Sequence, residues 1–457
     1  MRIILDSAKQ SKLKTIFPEE DCLFSPEELL VYQTDASRIS GDVLAVVRPT
    51  EEKQIVQLMQ YASQQKIPIY PRARATNTAG GCVPTRPGIV ISLLKMNKIL
   101  EIDSEDFVAI VEPGVITKDL QIAVGKLGLM YPPDPASFEV STLGGNIATC
   151  AGGMSAVKYG VTRDYLLATR VVLPDGRIME FGARTHKNVV GLDINRLLCG
   201  SEGTLGIIVQ MTLKLIPKPQ ASASVLVGFE TLEESMDSIR DIFGSGMLPN
   251  SLEFIGEQCL NAIAATGVTL CPKEVKTCLL IKLDGSRETL PLETRRLIDI
   301  LSPLKPILLC EGIGAEEEAL WAIRRQINSA AAQVAPNKIA DDVTVPRSKL
   351  YEALKGIEKI STQMGLSILT FGHVGDGNIH VNIMYDEAKQ NDIAYEAKNA
   401  VARLIISLSG VLSGEHGIGL SKAKQFNMQI SKDEQTLMRK IKAVFDPEDI
   451  LNPGKSY

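Results

Sequence analysis

Phe371-Gly372-His373-Val374-Gly375-Asp376-Gly377-Asn378-Ile379-His380-Val381-Asn382 is the stretch from which the fold of the second half can be read. Leu366 to Phe371, before it, is apolar with β-branched residues, and Ile379 to Tyr385 alternates. Both flanks read as strands, because a period of two marks the pleat. The Gly-Asp-Gly-Asn segment between them consists of residues that accept positive φ or bond their own backbone, so it reads as a hairpin turn. A hairpin closed there brings His373 and His380 together and places Asn382 on the face of His380. The chain has four histidines in 457 residues, and a third, His416, follows in Ser413-Gly414-Glu415-His416-Gly417. Two histidines near one carboxylate (His373, His380, Glu415) form an N/N/O donor set that suits zinc, manganese or iron.

The bulk properties fit this. The length predicts two or three domains. With 45% apolar and 23% charged residues the composition is ordinary for a globular chain. A formal charge of −5 gives no reason to expect nucleic acid or anionic lipid as a partner. Met1 to Phe17 lacks the apolar core of a signal peptide, and no run approaches the roughly 18 apolar residues of a spanning segment. The eight cysteines are scattered without a CxxC, so neither an iron–sulfur cluster nor a zinc knuckle is written here. Scattered thiols fit a reducing compartment, so the expectation is a cytoplasmic protein that meets a membrane face, if at all, through a partner.

Working outward, residues 1–40 read as a helical lead-in. An α/β alternation begins at Asp42, with a strand Val43 to Val47 and a helix Glu51 to Gln65 capped by Thr50. Strands follow at Ile67 to Tyr70, Ile89 to Leu93 and Phe107 to Val111, then a helix capped by Thr117. Tyr131 to Gly160 is rich in proline and glycine and lets backbone approach a ligand closely. Arg170 to Ile178 is a hairpin with an Asp-Gly turn, and Ile207 to Ile216 a long strand. Pro217-Lys218-Pro219 marks a domain boundary. Beyond it, Val225 to Phe229, Thr277 to Leu283 and Ile368 to Tyr385 read as strands. Leu232 to Phe243, Glu316 to Ala335, Arg347 to Met364, Ala394 to Leu408 and Ser431 to Phe445 read as helices.

Several of these motifs are together similar to a known family. Pro133-Asp134-Pro135-Ala136-Ser137, Ser141-Thr142-Leu143-Gly144-Gly145-Asn146, Ala151-Gly152-Gly153, Lys158-Tyr159-Gly160 and Gly200 to Gly206 resemble the flavin-binding half of the vanillyl-alcohol-oxidase superfamily. The histidine hairpin, Glu415-His416 and the tail Asn452-Pro453-Gly454-Lys455 resemble its branch of FAD-linked D-2-hydroxyacid dehydrogenases, which includes the flavin subunit of glycolate oxidase and D-lactate dehydrogenases. The resemblance implies an α+β fold: a VAO/PCMH-type FAD-binding domain of two packed α+β subdomains over residues 1–218, and a cap domain with an antiparallel sheet and flanking helices over 219–420. A helical segment, 421–457, returns to the FAD domain.

FAD carries a pyrophosphate, which needs backbone N–H groups in a turn with little side-chain bulk. Pro71 to Gly81 and Ser141 to Gly145 are the two segments expected to supply them. No GxGxxG follows the first strand, so a Rossmann route is not indicated. The cofactor residues implied by the resemblance are Pro71, Arg72, Ala73, Arg74, Ala75, Thr76, Asn77, Gly80, Gly81, Pro135, Ser141, Thr142, Gly144, Gly145, Asn146, Ala151, Gly152, Gly153, Tyr159, Gly160, Glu202, Gly203, Gly206, Ile207, Ile208 and Asn452. One departure stands out. The family loop carries glycines where this chain has Ala73 and Ala75, and alanine tolerates positive φ poorly. The loop also lacks a histidine, so FAD is expected to bind without a covalent bond.

The reaction implied is oxidation of a D-2-hydroxy acid, with D-lactate or glycolate as the expected substrate, to the 2-oxo acid. Hydride leaves Cα for flavin N5, and a base takes the hydroxyl proton. Arg324, in Trp321-Ala322-Ile323-Arg324-Arg325, matches the family's substrate-carboxylate arginine, and Lys338 is a looser match for a second cation. Asn382 is expected to hydrogen-bond the carboxylate, and His416 to act as the base, since imidazole suits neutral pH. A divalent metal (Zn, Mn or Fe) on His373, His380 and Glu415 would lower the hydroxyl pKa. His186 reads as surface, and Cys150 and Cys199 as small apolar packing. The electrons would leave to an iron–sulfur subunit, an electron-transfer flavoprotein or a quinone, and a homodimer is left open. Three other readings compete with this one: a flavin-dependent alkyl-transfer synthase, a flavoprotein subunit that turns over nothing, and a metal hydrolase without flavin.

Overall fold

The histidine hairpin exists, and it lies inside a sheet. In the computed structural model, which describes residues 5–268 and 271–455, the strands Ser367–His373 and Asn378–Tyr385 pair antiparallel, with Phe371 opposite His380. They belong to a seven-stranded antiparallel sheet in the order Leu308–Gly312, Ala221–Phe229, Thr277–Gly285, Ser251–Ile255, Ser367–His373, Asn378–Tyr385, Asn337–Thr344. Alternation sorts its side chains. Leu252, Phe254, Ile379, Val381 and Ile383 enter one core, against the helices Leu232–Gly244, Leu290–Leu301, Leu350–Met364 and Glu387–Ser407. Leu280, Leu369, Phe371 and Met384 enter another, against Glu257–Ala265, Ala315–Arg325 and Ile327–Ala330. Each buried Leu or Ile side chain contributes about 1.5–3 kcal/mol. The sheet and its helices form one compact unit, Pro219–Gly414 together with Gly153–Gly160.

The other unit holds the remaining residues up to Lys218 and the segment from Glu415 onward. Among the described residues it contains two larger sheets and a two-stranded one, Leu129–Met130 with Ile216–Pro217. In the first, Val43–Val47 and Ile69–Arg72 each run parallel to a central Gly88–Ser92, and Cys22–Leu23 adds an antiparallel edge. The helix Glu52–Gln65 covers it, burying Ile55, Leu58, Met59 and Ala62 completely at the spacing the sequence shows. The second sheet is antiparallel: Ile99–Asp103, Val108–Val111, Ile207–Lys214, Leu166–Val172, Ile178–Gly182. Val172, Ile207 and Val209 of this sheet share a core with Ile89 of the first sheet and with Ile55 and Leu58 of its helix, so the α+β subdomains pack on each other.

Several boundaries differ from expectation. Glu51, not Thr50, caps the helix Glu52–Gln65, because the Gln54 side chain reaches back to accept the Thr50 and Glu51 N–H groups. Thr117 lies inside its helix, and its hydroxyl faces Ser141. The single helix expected over 316–335 is broken into Ala315–Arg325, Ile327–Ala330 and a 3₁₀ turn. The lead-in contains a strand as well as helices. The return to the first unit comes at Glu415 rather than 421. The cause is local: Glu202 accepts the Ile418 and Gly419 N–H groups, and the Ala79 carbonyl those of Leu420 and Ser421. Gly153–Gly160 groups with the second unit because the Tyr159 hydroxyl donates to Asp284 Oδ2 at 2.8 Å and Lys158 pairs with the same carboxylate.

Candidate functional site

In the first unit, the strand Ile69–Arg72 ends in a loop of small residues. None of the N–H groups of Arg74, Ala75, Thr76 and Asn77 has an acceptor among the described residues. Ala75 sits at φ +55 despite its Cβ, at a cost of about 1 kcal/mol, whereas Ala73 keeps negative φ. The loop is fixed from below. Asn77 Oδ1 accepts the N–H groups of Ala79 (2.9 Å) and Gly81 (3.0 Å), and its Nδ2 donates to the His416 carbonyl (2.9 Å). Asn452 Nδ2 donates to the carbonyls of Gly81 (2.9 Å) and Glu202 (2.6 Å). A row of free amides is the donor set a pyrophosphate needs. On this observation the loop fits FAD.

The second expected segment is different. The amides of Ser141, Leu143, Gly144 and Gly145 are all engaged, by Ser137 O, Val115 O, Pro113 O and Thr142 Oγ1. Its glycines serve close approach: a Cβ on Gly145 would meet the Ala73 Cβ at 3.3 Å, and one on Gly144 would lie 2.9 Å from the Pro113 carbonyl oxygen. Asn146 donates to Thr117 Oγ1 at 2.8 Å. Arg72 turns away from the loop and donates to the Val31 and Tyr32 carbonyls. Glu202 holds the Ile418–Gly419 turn from a positive φ of its own. Gly203 packs on Pro71, and Gly206 leaves room for the Val171 side chain. Pro135 and Ile207 are buried, with Ile207 and Ile208 in strand register against Val172 and Val171. Ala151 O accepts from Thr162, and Gly152 lies against Glu415, where a Cβ would stand 3.3 Å from Oε2. Gly80 takes φ +78 beside Leu420, while Gly153, Tyr159 and Gly160 fall in the second unit. Cys150, read above as apolar packing, is buried but receives Arg163 Nε at 3.0 Å, and hydrogen bonds from Cys199 and Arg163 hold its thiol down at about 6.

In the second unit, the polar residues share the sheet face of Phe371 and Met384. His373 and His380 are both buried, their rings are nearly perpendicular (87°), and their Nε2 atoms are 3.3 Å apart. Two nitrogens on one tetrahedral ion at about 2.0–2.1 Å would stand about 3.3–3.4 Å from each other, so the pair fits a zinc-like ion. Behind His373, directly across the ladder, is Glu253. Glu253 is fully buried; its Oε1 lies 2.5 Å from His373 Nδ1, and its Oε2 accepts from Arg324 Nε (2.9 Å) and Nη2 (2.7 Å). Burial pushes its carboxyl up, but His373 and Arg324 outweigh this and hold it at about 2. Arg324 is thus buried on a carboxylate, with its guanidinium 4.7 Å over the Phe371 ring. Two of its three guanidinium nitrogens face Glu253. Asn382 lies on the His380 face; its Nδ2 is buried and has no acceptor among the described residues. Lys338 is exposed, 3.3 Å from Asn328 Oδ1. Asp342, opposite His380 in the ladder, accepts from Ser413 Oγ and the Gly414 N–H, which fixes the backbone from which Glu415 starts.

Glu415 and His416 open the segment returning to the first unit, with His416 Nε2 3.5 Å from Glu415 Oε1. His186 is exposed. The sequence reading missed Glu253 and Asp342. A signal existed for the first: Leu252-Glu253-Phe254 sets one carboxylate between two core residues of an alternating run.

The family model described as FAD linked oxidases, C-terminal domain, matches residues 218–456, and that of a FAD binding domain matches residues 43–182. The chain is 39% identical over 434 residues to the glycolate oxidase subunit GlcD of Bacillus subtilis, covering 94% of this chain and 92% of that one. It is 35% identical over 451 residues to a D-lactate dehydrogenase of Anaerostipes hadrus, with 94% and 92% covered. Among solved structures, an alkyldihydroxyacetonephosphate synthase superposes with a TM-score of 0.77 at 20% identity, covering 99% of this chain and 87% of that one, a likeness of fold alone.

Proposed function

The chain belongs to the family of FAD-linked oxidases, and from that premise we propose that it oxidises a D-2-hydroxy acid, D-lactate or glycolate, to the 2-oxo acid with the help of a divalent ion. The observation that carries the reading is the buried His373–His380 pair, whose Nε2 atoms stand 3.3 Å apart on the sheet face that also bears Asn382. FAD, when bound, supplies the two-electron acceptor for the hydride of Cα, and the ion a Lewis acid for the substrate hydroxyl. The residues do the rest. His373, His380 and Glu415 hold the ion. The Asn382 amide donates to the substrate carboxylate, which would satisfy its free Nδ2. Arg324 adds a cation through Nη1, since Nε and Nη2 face Glu253, and Lys338 adds a second. His416 takes the hydroxyl proton. Arg74 to Asn77 cradle the pyrophosphate. Electrons then leave to a partner, an iron–sulfur subunit or an electron-transfer flavoprotein, or to a quinone. Among the described residues no helix is long and apolar enough to cross a membrane.

The test is an anaerobic panel of D- and L-2-hydroxy acids on the flavin-loaded protein. Bleaching of the flavin band near 450 nm by a D-acid, lost on chelation and restored by zinc or manganese, is expected. Flavin that stays oxidised with every acid would leave a flavoprotein subunit without this activity. Bleaching that persists in metal-free protein would remove the ion from the mechanism.

A further inference from the structure

The geometry points to Glu253 as the residue that makes His373 a metal ligand, by fixing which ring nitrogen carries the proton. The inference rests on the metal reading above and assigns a positioning role to a residue outside the ligand set. Glu253 faces His373 across the ladder and has no exposed surface. Its two oxygens have different partners. Oε2 receives two N–H groups from Arg324, at 2.9 and 2.7 Å. Oε1 is left for His373 Nδ1, at 2.5 Å. An ionised carboxylate can only accept, so Nδ1 must be the protonated nitrogen. Nε2 then keeps its lone pair, and Nε2 is the atom that faces His380. A carboxylate behind a ligating imidazole fixes ring orientation and raises its basicity, and losing such a partner weakens metal binding by about 10–100-fold.

Arg324 makes this role testable. In Glu253→Gln the volume is unchanged, but only one end of the side chain remains an acceptor. Arg324 offers charge-assisted donors and so claims the amide oxygen. The NH₂ group is thereby turned to His373, which must accept at Nδ1 and carry its proton on Nε2. The substitution should invert the tautomer and block the ligand atom. In the double variant Glu253→Gln/Arg324→Met the cation is gone, the amide oxygen is free to face His373, and the original tautomer returns.

The experiment uses flavin-loaded protein stripped of metal and titrated with zinc against a chromophoric chelator. Ring-¹⁵N histidine spectra are recorded on the metal-free protein, where four histidines give a sparse spectrum. Flavin absorbance and the fluorescence of the sole tryptophan, Trp321, report whether each variant has folded. Wild type should show His373 protonated on Nδ1. E253Q should bind zinc about 10–100-fold more weakly with flavin content unchanged, and should show Nε2 protonated. The double variant should recover zinc affinity over E253Q. Zinc affinity in E253Q equal to wild type, or a double variant no better than the single one, overturns the assignment. Should E253Q not fold, a wild-type His373 protonated on Nε2 and bare at Nδ1 overturns it by itself. Failure of wild type to take up zinc or manganese sinks the metal reading, a result distinct from either.

Discussion

Replacing Asn452 should loosen the FAD loop by a calculable amount. The residue is buried, sits at φ +43, and donates to the carbonyls of Gly81 at 2.9 Å and Glu202 at 2.6 Å. Asn452→Ala removes both donors. A hydrogen bond nets about 0.5–1.5 kcal/mol, so the pair is worth about 1–3 kcal/mol. Alanine also pays roughly 1 kcal/mol for the left-handed backbone that asparagine tolerates. The sum is about 2–4 kcal/mol. If all of it appears in cofactor binding, the Kd for FAD rises by about 30- to 700-fold. Asn452→Gly loses the donors but not the backbone freedom, so it should be better than alanine by about 1 kcal/mol. Asn452→Asp turns an acceptor toward two carbonyls and should be no better than alanine. The assay is FAD titration of deflavinated protein, with release of bound flavin on heating as a second readout. An aspartate variant that holds FAD like wild type, or a glycine variant no better than alanine, would refute the reasoning.

Further outcomes follow from other sites. Burial lowers the Lys455 pKa from 10.5 to about 8. The unfolded chain thus holds the extra proton between those values, and apoprotein stability should rise with pH from about 8 to 10.5. Lys455→Met should flatten that slope in denaturation curves taken across the range. Asn382→Leu removes an unsatisfied buried donor, which costs about 1–3 kcal/mol; the Trp321-detected midpoint should rise while flavin reduction by the substrate slows. A raised midpoint with undiminished reduction would detach Asn382 from the substrate. Ala75→Gly relieves strain but frees the unfolded chain, for a net gain of less than about 1 kcal/mol. Ala75→Val, β-branched at the same φ, should weaken FAD binding in the same titration.

How much of this was legible differs from element to element. The hairpin Ser367–His373/Asn378–Tyr385 was legible because turn chemistry and strand period agree there. The helix Glu52–Gln65 was legible because its apolar spacing is regular. The strands Ser251–Ile255 and Asn337–Thr344 were not. The first is short and carries Glu253 in mid-strand, and the second carries Lys338, Asp341 and Asp342, residues depleted from strands. Neighbouring strands complete their ladders, and sequence does not show who the neighbours are. The free amides of Arg74 to Asn77 were hidden for a related reason. Composition marks both glycine- and alanine-rich segments as suitable, and only the fold shows that carbonyls at Pro113 and Val115 have already engaged those of the second.

The tail that closes the FAD unit has a further consequence, for synthesis. Ile69 donates to the Ile450 carbonyl and accepts from Asn452 N–H, so residues 450–452 cover an outer strand of the parallel sheet. Asn452 and Gly81 are 371 positions apart. At about 5–20 residues per second, a ribosome needs roughly 20–75 seconds to cross that interval. During that time Ile69–Arg72 presents an open ladder edge, the feature by which strands recruit other chains. The edge is covered only once residues 450–452 have emerged, and a chain cut short before Ile450 would leave it open.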